Sequence, residues 1–105
     1  MAQFDVHENN NPESRRRTPY LLNMQADILE SLQTRVVVPL RPCKSSESKP
    51  ISRLHPVLEI DGKGYVAYVS EMAGIPSGVL RKSIQSAKEN RQELIAATDL
   101  LLTGF

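Results

Sequence analysis

The chain reads as a small α+β domain, mostly β, and three observations carry that reading. Short apolar segments bounded by turn residues fill the chain up to about Leu80. Asp61-Gly62, between two of them, is a strong hairpin signal, because both central residues of such a turn want positive φ. The last stretch, Ser86 to Leu102, contains neither Pro nor Gly and is rich in the helix formers Ala, Leu, Gln and Glu. Strands first and one helix last is an α+β order.

Composition narrows the class further. A chain of 105 residues is expected to form a single domain, 1–105, that buries roughly two-thirds of its unfolded surface. Only 5% of the residues are aromatic, so the core must be built from Val, Ile, Leu and Ala. No apolar run is long enough to span a bilayer, and the N-terminus turns polar by its fifth residue, unlike a signal peptide. The single cysteine, Cys43, fits a reducing compartment, and the reading is cytoplasmic. A net charge of +1 argues against a nucleic-acid coat. The positive charge is nonetheless clustered at Arg15, Arg16 and Arg17, which is either a solvated loop tip or a docking point for an acidic chain or phosphate.

In order, Gln3 to His7 alternates polar and apolar as a half-buried strand does. Asn9 to Pro12 is turn chemistry and opens a loop, read as mobile, that carries the three arginines. A second strand begins at Tyr20 and runs through Asp27, so the pair predicts a hairpin with a long connection. Ile28 and Leu29 follow Asp27 as an apolar pair, and Glu30 to Thr34 reads as a turn or a single helical turn. Arg35 to Leu40 contains Val36, Val37 and Val38, which predicts a strand covered on both faces. Pro39 lacks an amide donor, so the strand should bulge or leave the ladder there. Pro42 to Pro50, with Ser45, Ser46 and Ser48, reads as a surface excursion. Leu54 to Ile60 and Tyr65 to Val69 are the arms of the Asp61-Gly62 hairpin. Ala73 to Gly78, with two glycines and Pro76, predicts a bend, after which Val79, Leu80 and Ile84 lead into the helix.

That helix is expected to start at a capping box, with Ser86 at N-cap and Glu89 at N3, and to run to Leu102, roughly 24 Å. Leu94, Ile95, Thr98, Leu101 and Leu102 form its apolar stripe, widened by Ala96, Ala97 and Leu100. A stripe that wide predicts burial against both its own sheet and a second molecule. Gly104 stops the helix and Phe105 follows as either a core plug or a partner contact.

Catalytic chemistry is thin. His7 and His55 have no acidic partner at a diagnostic spacing, and His55 reads as a base or, more simply, as a surface or capping residue. Nothing but Lys44 marks Cys43 as activated. No Cys/His cluster has zinc spacing, so no metal and no cofactor are expected. Asp61-Gly62-Lys63-Gly64 lacks the strand–loop–helix setting of a phosphate loop.

The segments Leu22-Asn23-Met24-Gln25-Ala26-Asp27-Ile28-Leu29 and Arg35-Val36-Val37-Val38-Pro39-Leu40 resemble a block of the CcdB toxins of bacterial toxin–antitoxin modules. The likeness resumes at Leu54-His55-Pro56-Val57-Leu58-Glu59-Ile60 and Glu71-Met72-Ala73-Gly74-Ile75-Pro76, and ends at Thr103-Gly104-Phe105. The resemblance implies an SH3-like barrel of antiparallel strands with a small additional sheet and a long C-terminal helix. It also implies a homodimer, with Leu100 and Leu101 in the interface. The implied activity is not enzymatic: it is binding to the DNA gyrase A subunit, which traps the gyrase–DNA cleavage complex. A CcdA-type antitoxin with a disordered acidic segment would neutralise the toxin, and the two together would repress their operon, touching operator DNA through the antitoxin. Residue by residue, the gyrase contact falls on Ile28, Leu29, Thr103, Gly104 and Phe105, and the arginine cluster becomes the expected antitoxin grip.

The chain departs from the family at Thr103, where family members carry Trp in a Trp-Gly-Ile ending. Losing a buried aromatic anchor commonly costs about 2–4 kcal/mol, a factor of roughly 30 to 1000 in affinity. Two alternatives therefore stand beside gyrase poisoning. One is a dimer that only binds antitoxin. The other is an endoribonuclease of the MazF type, which shares the barrel and would have to use His55, Arg53 and Glu59.

Overall fold

A computed structural model describes residues 2–43 and 53–104. Among these, seven strands form one curled antiparallel sheet, a half-barrel closed by a single C-terminal helix. The strands are β1 (Asp5–Asn9), β2 (Tyr20–Asn23), β3 (Thr34–Pro42), β4 (Val57–Ile60), β5 (Lys63–Ala67), β6 (Ala73–Pro76) and β7 (Leu80–Ser86), followed by α1 (Arg91–Thr103). The main path through the sheet is β4-β5-β3-β2-β1-β7, with β6 branching off β3. The Gln85 amide on β7 donates to the Glu59 carbonyl on β4 at 2.9 Å, so the two outermost strands meet as the sheet curls.

β3 organises the sheet. One edge pairs with β2 from Asn23↔Val37 to Tyr20↔Leu40. The other is shared: Thr34 to Val37 pair with β6, and Leu40 to Pro42 with β5. Pro39 stays in the ladder opposite Leu21 rather than leaving it. Its carbonyl accepts from Tyr68 N (3.0 Å), so its missing N–H points to the shared edge, between the two partners, where no ladder bond is lost. Val37 and Val38 are buried on opposite faces, as expected for a covered strand, while Val36 is half-buried. Val38 and Leu40 join the main core with Val6, Leu22, Leu58, Ile60, Leu94 and Ala97, while Val37 packs with Leu21, Leu80 and Ile75 on the outer face.

Several boundaries move. β1 starts at Asp5, not Gln3, because Phe4 takes a left-handed conformation (φ 69). There its N–H bonds Asn23 O and its carbonyl takes Ala87 N–H, both at 2.7 Å, and its ring is buried. Asp61 (φ 53) and Gly62 (φ 79) form the predicted two-residue turn between Ile60 and Lys63. The expected bend at Ala73–Gly78 is instead β6, and the approach to the helix is β7. The capping box does not form. Ser86 remains in the ladder opposite Asp5, and its hydroxyl accepts from Lys88 N (3.2 Å) to open a single 3₁₀ turn, Lys88–Asn90. The helix proper therefore begins at Arg91, and its 13 residues span about 20 Å. The predicted excursion with Ser45, Ser46 and Ser48 lies outside the described residues, as does Phe105.

Candidate functional site

Three surface features carry the candidate residues, and β2 separates two of them. The turn that follows β2 presents Ile28 at 88% exposure, Leu29 at 45% and Leu32 at 48%, an unusual concentration of apolar surface in five residues. Local sequence explains the shape. Asp27–Leu29 is one 3₁₀ turn, continued by Glu30 N to Asp27 O and Leu32 N to Leu29 O. Asp27 accepts from Gln3 N (2.6 Å), tying the N-terminal segment to the turn. Beneath it lies Arg35, only 5% exposed, whose guanidinium donates to the carbonyls of Leu29, Glu30, Leu32 and Thr34. Gln25, also buried, donates to Leu29 O at 3.0 Å and accepts from Val36 N at 3.2 Å. The apolar tip thus rests on a polar frame.

The second feature is the end of α1. Leu94 and Ala97 are buried, Leu100 is half-buried, Leu101 is 37% exposed and Leu102 is 72% exposed. About half of the wide stripe therefore stays in water. Gly104 takes the left-handed conformation (φ 84), and its N–H closes the helix on Leu100 O at 3.0 Å. The Thr103 hydroxyl donates back to Asp99 O at 2.7 Å, so the donor at this position is already used inside the helix.

The arginine loop is the third, and it is not an open loop. Asn9 pins it from within: the Asn9 amide donates to Ser14 Oγ (2.9 Å) and Thr18 O (2.8 Å), and its oxygen accepts from Asn11 N (3.0 Å). Arg15 N bonds Asn11 O and Thr18 N bonds Ser14 O, which winds residues 11–18 into helical turns. Arg15, Arg16 and Arg17 are exposed on it. They diverge. Arg15 lines a cavity of about 310 Å³ with Glu8, Tyr20 and Arg81. Arg17 acts electrostatically on Glu71 on the other side.

Arg41 on β3 links the loop to the rest of the sheet. Its Nε donates to Thr18 Oγ1 (3.1 Å), its two terminal nitrogens grip Glu71 at 2.8 and 2.9 Å, and it lies 4.7 Å above the Tyr68 ring. The Arg41 hydrogen bonds hold the Glu71 carboxyl below its ordinary range against a smaller opposing effect of burial. The charges of Arg41, Arg17 and His55 add to the lowering. Burial, followed by the neighbouring Tyr65, raises the Tyr20 phenol, and the two rings meet edge to face with centroids 5.2 Å apart.

The residues that ribonuclease chemistry would need do not form a hydrogen-bonded set. His55 bonds Ser70 Oγ through Nε2 (2.7 Å) and packs on Tyr68. Among the described residues His55 Nδ1, which is buried, has no hydrogen-bond partner. No cluster of three or more His, Cys, Asp or Glu suited to a metal occurs among the described residues.

Leu32, Arg35, Gln25 and Arg81 had no signal of their own in the sequence. Arg35 came nearest, as a charge opening a strand of buried valines. No helix among the described residues is long and apolar enough to cross a membrane. The model of the family described as CcdB protein matches residues 3–104, nearly the whole chain and all three surface features. With the half-barrel, the branch at β3 and the closing helix all present, the chain belongs to the CcdB family of toxin–antitoxin toxins.

Proposed function

We propose that this protein is the toxin of a type II toxin–antitoxin module, a non-enzymatic poison that binds the DNA gyrase A subunit and traps the cleavage complex. The observation that supports this most is the turn after β2, where Ile28 and Leu29 are held exposed on a rigid frame at the positions the family uses for gyrase. The exposed helix end, Leu102-Thr103-Gly104, supplies the second contact, with Phe105 beyond it. The half-exposed Leu100 and Leu101 fit a homodimer seam. Burying a side chain such as Leu101 or Leu102 contributes up to about 1.5–3 kcal/mol. Arg15, Arg16 and Arg17 grip the acidic segment of a CcdA-type antitoxin, and the toxin–antitoxin complex represses its operon, reaching operator DNA through the antitoxin. The protein acts in the cytoplasm as one domain, 1–105, and takes no cofactor. Purified chain added to gyrase and supercoiled DNA is expected to accumulate protein-linked double-strand breaks. DNA that stays uncut at saturating toxin would remove the reading.

A second reading has its own observation. Thr103 spends its hydroxyl on Asp99 O and offers no ring where the family has Trp. That favours a dimer which captures antitoxin but poisons gyrase weakly. The ribonuclease reading has no such observation in its favour.

A further inference from the structure

We propose that Arg35 is the positioning residue of the apolar turn, and that Leu32 is a third partner contact beside Ile28 and Leu29. The proposal rests on the reading of that turn as a gyrase contact. Arg35 is buried, and among the described residues the one ion pair is Arg41–Glu71, so no described carboxylate neutralises Arg35. Its fork is spent on four main-chain carbonyls of one short segment: Leu29 (3.3 Å), Glu30 (2.5 Å), Leu32 (3.2 Å) and Thr34 (3.4 Å). A buried guanidinium is unfavourable unless its donors are met. Here they are met by carbonyls that a turn would otherwise show to water. The result is a turn whose backbone faces inward and whose leucines face outward.

The same carbonyls explain why the apolar side chains cannot fold away. Leu29 O is bonded three times, by Arg35, by Gln25 and by Leu32 N, and Leu32 O by Arg35, so the backbone of both residues is tied toward the guanidinium. A loop needing only to connect β2 to β3 has no use for three exposed large apolar residues, and water disfavours them. Held rigid, they offer a contact that gives up little entropy on binding. Lysine cannot replace this arginine, since its single ammonium carries no planar fork for several carbonyls at once.

Hydrogen exchange and gyrase binding together test the proposal. In Arg35→Lys the amides of Leu29, Glu30 and Leu32 should exchange at least tenfold faster, while those of β1, β2 and the β5 end of β3 keep their rates. Affinity for the gyrase A subunit should fall about tenfold or more. Leu32→Ser alters only a surface side chain, so it should weaken gyrase binding by roughly threefold to tenfold with every exchange rate unchanged. Unchanged turn exchange in Arg35→Lys overturns the positioning role, as does acceleration spread evenly over the sheet. If Arg35→Lys does not fold, Leu32→Ser binding like wild type overturns the contact. A wild-type chain that binds no gyrase overturns the target reading and the contact, but leaves exchange to decide the positioning role.

Discussion

Replacing Thr103 by Trp should turn the weakest point of the proposed gyrase contact into its anchor. The cost to the fold is small. Thr103 is exposed and gives up the hydrogen bond from its hydroxyl to Asp99 O, worth about 0.5–1.5 kcal/mol when buried and less in water. Removing a threonine that bonds back into its own helix returns part of that, because such bonds slightly destabilise helices. For a domain this size, a net loss below about 0.5 kcal/mol lowers Tm by no more than about 4 °C. The gain on binding is larger. The helix ends cleanly at Gly104 in the left-handed cap, so a ring at 103 projects from the last helical turn beside the exposed Leu102. A desolvated aromatic anchor contributes about 2–4 kcal/mol, which predicts a Kd for the gyrase A subunit lowered roughly 30- to 1000-fold. Calorimetric titration of the gyrase A subunit with wild-type and Thr103→Trp protein measures it. A folded variant whose Kd stays within threefold of wild type refutes the anchor role, since the helix end would then lie outside the contact.

Three further outcomes follow from the same geometry. Changing Arg15, Arg16 and Arg17 together to Gln should slow association with an acidic antitoxin peptide, most at low ionic strength, with dissociation little changed; stopped-flow rates at two salt concentrations check it. Asn9→Ala removes three hydrogen bonds from a buried amide and should cost about 2–3 kcal/mol in urea unfolding, while exposing the arginine loop to proteolysis. Glu71 titrates below its ordinary value of 4.5 in the folded protein, so its contribution is present above that pH and is lost as pH falls through the lower folded value. Wild type should therefore exceed Glu71→Gln by about 0.2–1 kcal/mol at neutral pH, and the two stability curves should converge as the pH drops below 4.5.

Where the sequence was legible, a local rule and the tertiary environment agreed. Asp61-Gly62 has one good use in a strand pair and adopts it, and Val37 and Val38 need cover on opposite faces and receive it from Leu21 and Leu22. β6 and β7 were opaque because both are outlying strands. Ala73-Gly74-Ile75-Pro76 carries a Gly and a Pro that signal a bend, yet pairing with β3 alone tolerates them. Arg81 to Gln85 lacks alternation because the strand is exposed along most of its length. The false capping box shows the limit of short motifs. Ser86 and Glu89 have the right spacing, but pairing of Ser86 with Asp5 extends β7 and delays the helix to Arg91. In the candidate site, Ile28 and Leu29 could be picked out by resemblance. Arg35 could not, because nothing in a linear sequence says that one guanidinium will meet four carbonyls from a turn that precedes it.

Gyrase poisoning is tested most directly by expressing the chain in two bacterial strains that differ only in whether their gyrase A subunit is resistant to CcdB. Growth arrest is expected in the sensitive strain alone, relieved by co-expression of the antitoxin. Arrest in both strains, or in neither, would contradict a gyrase poison.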